Sequence, residues 1–195
     1  MLFRSALVAQ SPITTGAGAA GLAAADFDGD TFLDVAVANR DAGTVTVLYG
    51  DGTGAFPASF SINAGGPAVA VAACRTVGAY PDLFIAVAGT RLCAAGNLRN
   101  VSTVAARSFQ APITISTGNF VDVAAGDVLA TSAPEVVALN ATTSTVSVYV
   151  ALTQLPIAGS PFAAGTGAAS ITLADVNNDG KLDRKSTRLN SSHRT

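Results

Sequence analysis

The feature that most limits what this chain can fold into is an acid that returns at a fixed place ahead of an apolar segment. Ala25-Asp26, Ala73-Cys74, Gly126-Asp127 and Ala174-Asp175 stand 48, 53 and 48 residues apart, and eight residues after each anchor comes Asp34, Asp82, Glu135 or Asp183. Three of these acids lead straight into apolar runs: Val35 to Ala38, Leu83 to Val87, and Val136 to Leu139. A unit of this length cannot bury its own hydrophobic face, so successive units must cover one another.

Each unit reads as four strands. The first is expected over Leu22 to Ala25, Leu33 to Asn39, Thr44 to Tyr49 and Phe56 to Ile62, with the period-two alternation of Thr44-Val45-Thr46-Val47-Leu48 marking a half-buried strand. The second is expected over Ala68 to Ala73, Leu83 to Val87, Val101 to Ala105 and Phe109 to Ile115, its extra residues forming a loop near Arg91 to Asn100. The third is expected over Val121 to Ala125, Glu135 to Leu139, Thr145 to Ala151 and a short strand near Pro161 to Ala163, and a fourth unit starts at Ala168. The composition, 49% hydrophobic and 12% charged with 19 glycines, suits short strands joined by tight turns. The expected fold is all-β, a partial β-propeller of four-stranded antiparallel blades, about three blades plus pieces of two more.

Both ends of the chain need separate treatment. Asp183 to His193 resembles the translation of a sequencing-adapter oligonucleotide, and Met1 to Ser5 its reverse complement. The expected organisation is therefore adapter-like sequence over 1–5 and the last strand of a preceding blade over 6–18. Blades follow over 19–65, 66–118 and 119–166, the start of another over 167–183, and a disordered adapter-like tail over 184–195. Val8 to Gly16 resembles the unit-ending Phe109 to Gly118, which places it at the close of an earlier unit. The whole chain has a formal net charge of -2, but residues 6–182 hold six cations against twelve acids, leaving -6. An acidic chain with no basic cluster lacks the footprint of a nucleic-acid binder. No apolar run reaches the roughly 18 residues of a membrane span, so no membrane insertion is expected.

The chemistry is concentrated at the anchors. Asp26-Phe27-Asp28-Gly29-Asp30-Thr31-Phe32-Leu33-Asp34 carries carboxylates at its first, third, fifth and ninth places, with the Phe32 carbonyl at the seventh. Ca2+ takes six to eight oxygens in a forgiving geometry, and alternate inward side chains supply them. The same spacing recurs as Asp175, Asn177, Asp179 and Asp183, with Lys181 in the place of Phe32. Asp, Asn and Gly also make ordinary turns; the duplication of the spacing favours ligation. An EF-hand would need Glu at the twelfth place, where Val37 and Ser186 stand. The middle units have Thr76 and Gly78 after Cys74, and Leu129 and Thr131 after Asp127, so no ion is expected there. Asp82 and Glu135 are instead expected to accept hydrogen bonds from their own loops. Thr31 stands where the last copy has Gly180, at a sharp turn that favours positive φ.

Asp26 to Asn39, followed by Thr44-Val45-Thr46-Val47-Leu48-Tyr49-Gly50-Asp51-Gly52-Thr53-Gly54-Ala55-Phe56, resembles an FG-GAP/VCBS repeat, the blade of integrin-α-like propellers. The resemblance spans most of residues 8–183 and is degenerate in the second and third units. It implies calcium-binding loops between the first two strands of a blade, further blades beyond this chain, and a secreted or cell-surface protein. The expected function is a calcium-binding scaffold for adhesion, with a protein or glycan as ligand. The alternatives are the non-catalytic propeller of an extracellular carbohydrate-active or other hydrolytic enzyme, and a structural spacer. The chain itself is not expected to be an enzyme: its one histidine, His193, is in the tail, it has one glutamate, and no Gly-x-Ser-x-Gly elbow occurs. Extracellular, cell-surface or periplasmic calcium levels suit such loops better than the cytosol. Cys74 and Cys93 are too few for a disulfide framework and are read first as buried thiols.

Overall fold

The computed structural model describes residues 12–97, 107–131, 133–175 and 182–188. Three antiparallel four-stranded sheets follow one another along the chain, each an uninterrupted meander, and a two-stranded sheet comes after them. The first sheet holds β1 (Ala19–Ala25), β2 (Asp34–Asn39), β3 (Thr44–Tyr49) and β4 (Ala58–Asn63). The second holds β5 (Ala68–Cys74), β6 (Asp82–Val87), β7 (Arg91–Ala95) and β8 (Ile113–Thr117), and the third β9 (Phe120–Gly126), β10 (Glu135–Asn140), β11 (Thr145–Val150) and β12 (Phe162–Ala163). The last pair is β13 (Ala168–Ala174) and β14 (Asp183–Arg188).

Alternation along the strands sends successive side chains to opposite faces, and neighbouring sheets share the apolar sets that result. Ala36, Val45 and Val47 of the first sheet pack with Val71, Leu83, Ile85 and Cys93 of the second. The residues between them, Ala72, Phe84 and Leu92, face the third sheet through Val123, Val136 and Ala138. Val137, Leu139, Val146 and Val148 then meet Ala168 and Ile171 of β13. The second sheet is thus covered on both faces, and all six residues of β6 are buried.

A repeated irregularity shows that the units share more than strand count. In all four sheets the first strand skips one residue near its start, at Ala20, Val69, Val121 and Ala169. Such a bulge sharpens the local twist, and its recurrence gives every first strand the same bend.

Two expectations are corrected. Arg91–Ala95, read as loop, is the third strand of its sheet and pairs with β6. The tight connection Ala88-Gly89-Thr90, with Gly89 at φ +74°, returns the chain as a hairpin directly, so the additional residues fall after the strand. Val101 to Ala105 lies outside the described residues. Of the tail expected to be disordered over 184–195, only 184–188 are described, and they lie in β14 (Asp183–Arg188), paired with β13. Backbone pairing needs no particular side chains, and β13 offers a row of N–H and C=O groups to pair with. Of the strand expected over Val8 to Gly16, only Pro12 to Gly16 is described, and these residues are not in a strand.

Candidate metal centre

The loop joining β1 to β2 is folded by its own carboxylates. Asp26 accepts hydrogen bonds from the Gly29 amide at 2.5 Å and the Thr31 amide at 3.0 Å. Asp28 Oδ1 accepts from the Asp30 amide at 3.1 Å, and Asp30 Oδ1 from the Phe32 amide at 2.9 Å. These short-range bonds are what Asp makes in turns, and each leaves carboxylate lone pairs free. Gly29 and Thr31 both adopt left-handed backbone, at φ +76° and +74°. Glycine does so freely, whereas a β-branched threonine is strained there.

Asp34 has a second task. It is fully buried, its Oδ2 accepting from the Phe27 amide and its Oδ1 from the Gly50 amide, both at 2.8 Å. One carboxylate therefore ties the loop to the start of β2 and the exit of β3. Burial pushes its carboxyl up, the Phe27 and Gly50 bonds oppose this, and the charges of Asp28 and Asp30 push it further up.

The acids at the same place in the next two sheets do related work, as expected of them. Asp82 accepts from the Thr76 hydroxyl of its own loop and, at 2.6 Å, from the Asn97 amide after β7. Glu135 Oε2 accepts from the Val128 and Leu129 amides at 2.8 and 3.1 Å. Its Oε1 is buried without a hydrogen-bond partner. The Ala151 amide, which stands one residue past the partner of Glu135 as Gly50 and Asn97 do for their acids, donates to the Pro134 carbonyl instead.

Asp26, Asp28 and Asp34 each present an oxygen, and these oxygens all lie within 4.8 Å of one another. Two oxygens on one calcium, each about 2.3–2.6 Å from it, can be at most about 5 Å apart, so the spread fits a single ion. Asp30 does not join this group. It holds its side chain outward, one third exposed, 3.9 Å from Arg107 Nη2. Phe32 is exposed at the loop's surface, its ring against Gly52. Arg107 Nε is 2.6 Å from Asp28 Oδ2, and the guanidinium lies 5.0 Å over the Tyr49 ring. A guanidinium is thus paired with the buried Asp28 carboxylate. The site fits a hard divalent cation in charge, donor type and spacing.

Sequence reasoning missed what braces the loop, all of it from the second sheet's part of the chain. Asn97 Nδ2 donates to the Phe27 carbonyl at 2.8 Å. Tyr80 packs so closely on Gly29 that a methyl group there would lie 2.4 Å from its ring. Phe109 meets Phe27 edge-on, with centroids 5.7 Å apart. No local pattern marks these residues, because the repeat brings them to the loop only when the sheets stack.

Of the second loop, Asp175 is described at the end of β13 and Asp183 opens β14, while Asn177, Asp179 and Lys181 lie outside the described residues. Cys74 and Cys93 are free thiols, pushed up to about 12 and about 11 chiefly by burial. A crevice of about 210 Å³ between the second and third sheets, bounded by Thr76, Asp82, Gln110 and Gln154, is smaller than the ~300–1,000 Å³ usual for small-molecule sites. A scan against protein-family models finds no match, and a search of curated proteins likewise finds none.

Proposed function

We propose that this chain is a calcium-binding repeat module of the FG-GAP/VCBS kind, its sheets set as blades of a β-propeller in a secreted or cell-surface protein. Its role is that of a scaffold for adhesion or ligand binding, with a protein or glycan as partner. The observation that carries the reading is the convergence of Asp26, Asp28 and Asp34 in a loop whose spacing is repeated at Asp175. The serial stacking of three similar sheets, each with the same bulge in its first strand, supports the blade arrangement.

In this reading Asp26, Asp28 and Asp34 hold the ion with the Phe32 carbonyl. The bound ion supplies charge neutralisation, which lets four carboxylates share one tight turn. The chain's own residues do the rest: Asp34 fixes the loop to β2 and β3, and Asn97 and Phe109 fix it to the second sheet. Metal binding to the folded loop alone adds about 2.7 kcal/mol of stability at a hundredfold excess over its dissociation constant. Differential scanning calorimetry in calcium and in chelator tests this. A higher melting temperature in calcium is expected, and an identical one in both rejects the reading.

A further inference from the structure

We propose that Arg107 is a tethered counter-cation of the Asp26–Asp34 loop, seated on Asp28 when no metal is bound and displaced from it when a divalent ion enters. The inference rests on the calcium reading and adds to it a competitor built into the chain. Asp28 has only 3% of its side chain exposed, and a buried carboxylate is strongly unfavourable without an opposite charge or hydrogen bonds. Its Oδ1 takes the Asp30 amide, and its Oδ2 takes Arg107 Nε at 2.6 Å, a charge-assisted contact.

Asp28 is also one of the three carboxylates close enough to share an ion. A guanidinium at hydrogen-bond distance from Oδ2 and a dication on the same carboxylate repel each other, so one must withdraw. The surroundings give Arg107 somewhere to go. Asp30, which stands apart from the three converging acids, is 3.9 Å from Nη2, and the Tyr49 ring lies beneath the guanidinium at 5.0 Å. A short shift outward exchanges Asp28 for Asp30 and keeps the ring contact.

Arg107 is two residues from Phe109, which packs on Phe27 inside the same loop and on Phe60 of β4.

The test is calcium titration of the full chain by calorimetry, with melting temperatures in chelator and in saturating calcium, for the unaltered protein, Arg107→Gln and Arg107→Lys. Arg107→Gln is expected to bind calcium about tenfold or more tightly, since an arginine beside a carboxylate lowers its proton affinity by about one to three decades and repels a dication in the same sense. It is also expected to melt lower in chelator and near the unaltered protein in calcium. Arg107→Lys, which keeps the charge without the fork, is expected to fall between. If the unaltered protein and Arg107→Gln bind calcium equally, the competition is rejected while the calcium site stands. If neither binds, both readings fall. Binding by Arg107→Gln alone would support competition in its strongest form.

Discussion

At the scale of single residues, Thr31 is where sequence and conformation disagree most. Its φ of +74° is left-handed, and the backbone there is held by the Thr31 amide donating to Asp26 and the Phe32 amide donating to Asp30. Strain of this kind costs about 1–3 kcal/mol, part of which glycine would return through a more flexible unfolded chain. Thr31→Gly should therefore raise stability by about 1 kcal/mol, measured by urea denaturation in chelator. Unchanged or lower stability would show that the threonine is not strained. The cysteines give a pH signature. Burial leads the upward shift of both, so the folded protein keeps protons that the unfolded chain releases above pH 9.0. Stability from this source is complete below pH 9.0 and is lost as pH rises toward about 12 for Cys74 and about 11 for Cys93. Replacing Cys74 with Ala should flatten the alkaline fall in stability over that window, as followed by denaturation at stepped pH.

At the scale of elements, the first strand of each sheet is rich in small residues, and the reason is contact between sheets. A methyl group on Gly21 of β1 would lie 3.1 Å from the Ala70 Cα and the Val69 carbonyl oxygen of β5. Gly21→Val should destabilise by about 1–3 kcal/mol, the usual cost of overpacking, with the loss seen in thermal melts. Gly50 is tighter still. A Cβ there would sit 2.3 Å from the Leu33 carbonyl oxygen, and the Gly50 amide is a partner of Asp34. In the proposed calcium reading, Gly50→Ala should weaken both the β3 exit and the calcium-induced stabilisation, because it displaces the carboxylate that ties them together. A normal calcium-induced shift in that variant would separate Asp34's structural bond from its place in the metal site.

At the scale of the whole molecule, stability should be graded along the stack. The second sheet is covered on one face by the first and on the other by the third, whereas the two-stranded sheet meets the third on one side. Amide hydrogen exchange should accordingly be slowest in β6, next in β10, and fastest in β13 and β14, because a unit's opening free energy follows its buried neighbours. Equal protection across the sheets would mean that the chain opens as one cooperative body.

The amino-acid sequence by itself determined where most strands run, since alternation and the recurrent acid depend only on neighbours along the chain. Strands at Thr44–Tyr49 and Glu135–Asn140 were legible in this way. It also determined that Asp26, Asp28 and Asp34 could meet, because residues so close in one loop have few ways to stay apart. It misread Arg91–Ala95, where short apolar character after an arginine resembles loop until a pairing partner is known. Only the tertiary structure decided that Asp30 turns away, that Asp34 is also a strand fastener, and that Arg107, Asn97 and Tyr80 close over the loop. Those contacts join residues tens of positions apart, and their free energy exists only once the second sheet has been laid on the first.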